Sequence, residues 1–148
     1  MDESEKFLRA VGDIQLILAF QVAPTLAKKY GIDLKLYQIL KRIADGAVYP
    51  GDIAKVSFET PSRVSRRLDK LEALGLVRRS LDQSDTRKIR IELSVDAPDL
   101  IRQMDTEFIA RLAPALANIP VAERSSAIST LELTYAGLLP PGCERASK

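Results

Sequence analysis

Four cations, Arg63, Arg66, Arg67 and Lys70, fall within one eight-residue stretch. On a helix this spacing sets Arg63, Arg66 and Lys70 along one side, one turn apart. Guanidinium and ammonium groups arrayed in this way hold phosphate oxygens, and the planar guanidinium also matches paired acceptors on a base edge. Thr60, Ser62 and Ser65 add hydroxyl groups to the same stretch. Arg87 and Lys88 form a second basic pair further on. Between Thr60 and Arg90 there are nine Lys or Arg against four Asp or Glu, whereas the whole chain carries a net charge of only +2. The rest of the chain is therefore net negative. The chemistry this segment could perform is recognition of a polyanion.

Other chemistries have little to work with. The 148 residues contain no histidine and a single cysteine, Cys143. That removes the commonest general base, the Ser-His and Cys-His nucleophile pairs, and multi-Cys or His metal sites. The reading is therefore no enzyme, no cofactor and no metal. Cys143 stands in a C-terminal tail, PPGCERASK, that is expected to be loose, with only Arg145 nearby to activate the thiol, so a passive thiol is expected. A mean hydropathy of −0.05 and 46% hydrophobic residues fit a globular chain with a core. Gln, Pro or charge breaks each apolar stretch, as in IQLILAFQVAP, so no membrane span of about 18 residues is expected. The acidic start MDESEKFL does not read as a secretory signal. The expected location is the cytoplasm.

The basic residues need elements to hold them. Residues 5 to about 30 carry Phe7, Val11, Ile14, Leu18 and Val22 at helical spacing, with Pro24 expected to kink or interrupt the helix and Gly31 to end it. Asp33 is placed to cap a second helix over 34–44, which would bury Leu36, Ile39, Leu40 and Ile43. A short extended piece precedes a third helix over 51–57. Thr60 as N-cap and Pro61 at the first helical position open a fourth, with Val64, Leu68, Leu71 and Leu74 as its buried stripe and Gly75 as its stop. Leu76–Leu81 and Lys88–Leu93 read as two strands around the polar turn DQSDT, which makes a hairpin. A helix over 99–117 carries Ile101, Met104, Phe108 and Leu112, with Pro114 interrupting its end. A last helix from about Ala122 to Leu139 shows Ile128, Leu131, Tyr135 and Leu138, spaced as in a helix-pairing seam.

Helix, turn, helix, hairpin over 51–94 is the order of a winged helix-turn-helix. The fourth helix would be the recognition helix. Such helices read base edges mainly from their N-terminal residues, where Ser62, Arg63, Ser65 and Arg66 lie, with Lys70 one turn on. The hairpin would carry Arg87 and Lys88 to phosphate or to the minor groove.

The segment LEALGLVRRSLDQSDTRKIRIELS resembles the MarR (multiple antibiotic resistance regulator) family of transcriptional regulators. The resemblance rests on Leu71-Glu72, Gly75-Leu76-Val77, Arg79, Asp85-Thr86-Arg87 and Leu93-Ser94. Upstream, Ile53-Ala54 and Val64-Ser65-Arg66 match in order and spacing. The sequence departs from the family pattern at Pro61, where a polar or basic residue is frequent, and at Arg63, where a small hydroxyl residue is usual. The resemblance implies a mainly α fold with a small β-wing. It also implies a winged helix-turn-helix over 33–98 and a helical dimerisation region formed by 1–32 and 99–148. It further implies a homodimer that binds a pseudo-palindromic DNA operator, more often as a repressor, and that can be released by a small-molecule effector. In role, Thr60, Ser62, Arg63, Ser65, Arg66 and Lys70 would meet the major groove, and Arg87 with Lys88 would serve the wing. Asp85 would pair with Arg79 to hold the wing in shape.

Three readings stay open on the sequence. The winged helix could serve protein contact without specific DNA binding. Tyr37 could line an effector pocket or pack in the core. The stripe from Ile128 to Leu138 could close a dimer or an intramolecular core.

Overall fold

The computed structural model describes residues 2–141, so Cys143 and its expected passivity lie outside the described residues. Among the described residues, six α-helices and one hairpin run in the order α1 (Glu3–Tyr30), α2 (Leu34–Ala44), α3 (Pro50–Ser57), α4 (Pro61–Ala73), β1 (Val77–Leu81), β2 (Ile89–Leu93), α5 (Ala97–Ala117) and α6 (Arg124–Leu138). A 3-10 turn over Val121–Glu123 leads into α6. The fold is mainly α with a two-stranded β-wing, as expected. The chain divides into two compact units, one ending at Tyr37 and one beginning at Gln38.

In the first unit, α1 begins two residues earlier than the sequence reading placed it. Asp2 and Glu5 form a reciprocal capping box: the Glu5 N–H donates to Asp2 Oδ1 at 2.8 Å and the Asp2 N–H to Glu5 Oε2 at 2.9 Å. Pro24 does not break α1, which continues as one helix of 28 residues. A proline costs the helix one N–H donor, and its fixed φ remains helical, so a long helix can carry it. Gly31, at φ 68°, supplies the left-handed turn that closes α1. Only Val22 and Leu26 of α1 are buried, while Phe7, Ile14, Leu16 and Phe20 stand exposed. By length and composition α1 is apolar enough to cross a membrane, with an 18-residue window of mean hydropathy 1.4. This differs from the expectation that no stretch would be long and apolar enough, because the polar residues thin the apolar run without lowering its average enough. Asp33 caps α2 as expected, accepting from the Leu36 N–H at 2.8 Å.

In the second unit, α3 packs on α4 and β2, and α4 packs on β1. The core includes Ile39, Leu40, Ile43, Ile53, Val64, Leu68, Leu71, Ile91, Ile101 and Met104, all buried. Burying each such side chain stabilises the fold by roughly 1.5–3 kcal/mol. Leu74 was expected to extend the buried stripe of α4 but is exposed. It is the C-cap, one residue past the last helical turn, where the helical period no longer sets its direction. Gly75, at φ 71°, then reverses the chain, and the Leu76 N–H donates back to Leu71 O at 2.9 Å. β1 and β2 pair antiparallel from Val77 opposite Leu93 to Leu81 opposite Ile89. The Ile91 N–H also donates to Val48 O at 2.7 Å, which ties the extended piece before α3 to the hairpin. Pro98 opens α5 rather than preceding it, and Pro114 lies within α5 without interrupting it. Lys41 of α2 pairs with Asp105 of α5 at 2.7 Å. No described residue of α6 is buried, and Ile128, Leu131 and Leu138 are exposed.

Candidate nucleic-acid interface

The basic face of α4 is built by subtraction. Val64, Leu68 and Leu71 turn inward and are essentially inaccessible to solvent, which forces the intervening positions outward. Ser62, Arg63, Ser65, Arg66 and Lys70 are all exposed. Thr60 caps the helix, its hydroxyl accepting from the Arg63 N–H at 3.4 Å and lying 3.2 Å from the Ser62 hydroxyl. The Thr60 side chain is therefore engaged in starting the helix before any ligand arrives. Arg63, Arg66, Arg67 and Lys70 line a concave surface of about 350 Å³. Arg67 departs from the other three. It is half-buried and bonds Glu59 at 3.3 Å, across the turn between α3 and α4. That turn passes through Phe58, which holds a left-handed conformation at φ 53° although it is not glycine. Such a conformation costs of order 1 kcal/mol.

The wing is braced differently from the expected pairing. Arg79 does not pair with Asp85. Its Nη1 bonds Glu72 at 2.5 Å, and its Nη2 bonds Asp69 at 2.7 Å and reaches the Ser65 carbonyl at 3.4 Å. Burial opposes the charge on Arg79, but the hydrogen bonds it donates to Asp69 and then to Glu72 outweigh it and raise the guanidinium pKa above its ordinary value. The physical reason for the correction is geometric. Arg79 lies two residues into β1, beside the C-terminal half of α4, while Asp85 sits beyond the far end of that strand. Asp85 instead accepts from Arg87, at 3.2 Å from the backbone N–H and 3.4 Å from Nε.

The wing turn is organised by Asp82, which the sequence reading passed over. This carboxylate is only 5% exposed. Its Oδ1 accepts from the Ser84 N–H at 2.8 Å, the Ser84 hydroxyl at 2.5 Å and the Asp85 N–H at 3.0 Å. Its Oδ2 accepts from the Tyr49 hydroxyl at 2.6 Å, and Arg90 lies 3.9 Å away. Hydrogen bonds from Ser84, then from Tyr49, hold the Asp82 carboxyl well below the usual carboxylate range, against the cost of burial. The same Asp82 bond raises the Tyr49 phenol. Asp followed by a polar turn is a recognisable Asx-turn signal, so Asp82-Gln83-Ser84 could have been found. Nothing in the sequence pointed to Tyr49.

Arg87 projects from this turn with its side chain 92% exposed. Lys88 is exposed, but its ammonium lies over the Tyr49 ring, 5.5 Å from the centroid. On the strands, Arg78 pairs with Glu92 at 2.7 Å, so that cation is partly neutralised. Tyr37, the candidate effector contact, is half-buried in α2.

A helix-turn-helix whose second helix offers a basic face, followed by a hairpin with an arginine in its turn, is a winged helix-turn-helix. Residues 30–88 match the family model described as MarR family. No curated protein matches the chain. Among solved structures, the transcriptional regulator BldR from Sulfolobus solfataricus superposes with a TM-score of 0.76 at 21% identity, covering 93% of this chain and 100% of that one. A MarR-family regulator from Rhodococcus sp. RHA1 gives 0.77 at 20% identity, with 95% and 99% covered. The MepR–DNA complex of S. aureus gives 0.73 at 21% identity, with 93% and 99% covered. Each of these three structures shares the fold of this chain.

Proposed function

We propose that the protein is a DNA-binding repressor that acts as a homodimer on a pseudo-palindromic operator. The observation that supports this most is the sorting of charge on α4: Arg63, Arg66 and Lys70 are exposed on one face, while the fourth cation, Arg67, turns back to Glu59. The exposed residues Ser62, Arg63, Ser65 and Arg66 occupy the N-terminal half of the helix, from which base edges are read. Arg87 supplies a wing contact to the phosphates or the minor groove.

The dimer reading draws on the apolar residues that the single chain leaves in solvent. Phe7, Ile14 and Phe20 of α1, and Ile128, Leu131 and Leu138 of α6, are exposed. Exposed apolar surface on this scale marks a contact with another protein or a membrane. The match to regulators favours a second copy, with 1–32 and 99–148 as the dimerisation region and 33–98 as the DNA-binding region. Two recognition helices would then meet the major groove about one turn apart, ~34–36 Å. The site of action would be the cytoplasm, with the DNA. A small-molecule effector that binds one spacing of the two winged helices better than the other would release the operator.

The test is binding to the duplex upstream of the protein's own gene, against a random duplex of equal length, over a salt series. Selective binding that weakens steeply with salt supports the proposal. Equal, weak and salt-insensitive binding to both would favour a winged helix used for protein contact.

A further inference from the structure

The wing turn is fastened to the helix-turn-helix through one side chain. Tyr49 stands directly before α3 in an extended conformation. Its backbone is fixed on both sides: the Ile53 N–H donates to Tyr49 O at 2.9 Å, and the neighbouring Val48 O accepts from Ile91 at 2.7 Å. From that fixed root the Tyr49 hydroxyl reaches Asp82 Oδ2 at 2.6 Å. The other oxygen of the same carboxylate gathers Ser84 and Asp85, which shapes the turn. The ring also lies beneath the Lys88 ammonium. One carboxylate thus shapes the turn with one oxygen and ties it to the start of α3 with the other.

We propose that Tyr49 is a positioning residue for the wing: through Asp82 it locks the turn to the N-terminus of α3 and so sets where Arg87 meets the duplex. The last clause rests on the DNA-binding reading; the tie itself does not. Two features support the assignment. The Asp82 carboxylate is buried, so it is spent on internal bonds and does not face incoming phosphate. Among the described residues Arg87 is anchored by Asp85 alone, so its position depends on the turn that Asp82 builds.

The test compares wild type, Tyr49→Phe, Arg87→Ala and the double variant, each as the full chain. Phenylalanine keeps the ring under Lys88 and removes only the hydroxyl. The first readout is amide hydrogen exchange without DNA. Tyr49→Phe is expected to speed exchange at Ser84 and Asp85 about tenfold, the scale of one lost bond to a charged group, and to leave Leu68 and Leu71 unchanged. The second readout is affinity for the upstream duplex over a salt series. Arg87→Ala is expected to weaken binding less in the Tyr49→Phe background than in wild type, because the two changes remove one wing contact. Unchanged exchange at Ser84 and Asp85, or an equal Arg87→Ala effect in both backgrounds, would overturn the proposal. If wild type shows no salt-dependent duplex binding, the DNA-binding reading fails. The exchange readout then decides the tie alone: faster exchange upholds it, and unchanged exchange removes it.

Discussion

The α4 helix and the wing both present cations, yet they are held by opposite means. α4 is anchored by an apolar stripe, Val64, Leu68 and Leu71, whose burial is indifferent to pH and hardly sensitive to salt. Its cations are by-products of that anchoring, placed outward because the core takes the other positions. The wing has two short strands and a seven-residue turn, and polar bonds hold it at both ends. Arg79 braces β1 against α4 through Asp69 and Glu72, and Asp82 fastens the turn to Tyr49. Two basic surfaces of a single motif are thus held by different means: burial fixes the first, and charged hydrogen bonds fix the second.

The sharpest way to break the comparison is to attack each anchor in turn. Leu68→Ala should cost about 2–5 kcal/mol of unfolding free energy in a urea titration, the range for truncating a fully buried leucine. A loss below 1 kcal/mol would mean that α4 is not core-anchored. Arg66→Ala should leave the urea midpoint in place and weaken operator binding by about 1–3 kcal/mol if it meets a base edge. Arg79→Ala should lower stability by about 1–2 kcal/mol, since it leaves Asp69 and Glu72 without their shared cation at a partly solvated site. If Asp85 were its working partner, Asp85→Ala would reproduce that loss; here it should not.

The pH dependence refines the same contrast. The folded pKa of Asp82 lies below its unfolded value of about 3.9, so its contribution is fully present above that value and is lost as pH falls through the folded value. Exchange protection at Ser84 and Asp85 should therefore hold from pH 7 down to about 4 and decline below that, while Asp82→Asn should be flat across the same range. Leu68 should show no such step in wild type short of global unfolding. A decline beginning near pH 6 would point to some other titrating group.

Much of this architecture could be read from residue types, and the exceptions share a cause. Asp33 and Thr60 as caps, Gly31 and Gly75 as stops, and Val64, Leu68 and Leu71 as a buried stripe are local signals: each depends on spacing along the chain. The exposed face of α4 followed from that stripe, so Ser62, Arg63, Ser65, Arg66 and Lys70 were legible. The partner of Arg79 was not, because the choice among Asp69, Glu72 and Asp85 depends on how a strand lies against a helix. Tyr49 was invisible for the same reason, being 33 residues from Asp82 in sequence. Pro24 and Pro114 misled in the other direction. A proline signals a break only where the helix lacks other support, and both helices run through theirs.

In the proposed function the exposed cations of α4 and the wing meet one duplex. The most direct measurement is the slope of log affinity against log salt, for the upstream duplex, in wild type and in a variant with Arg63, Arg66 and Arg87 all replaced by alanine. Wild type should show a steep slope. In the variant its magnitude should fall by roughly one unit for each phosphate contact removed, with the fold intact by urea titration. An unchanged slope in a folded variant would contradict the account, because the charge on this face would then have no part in binding DNA.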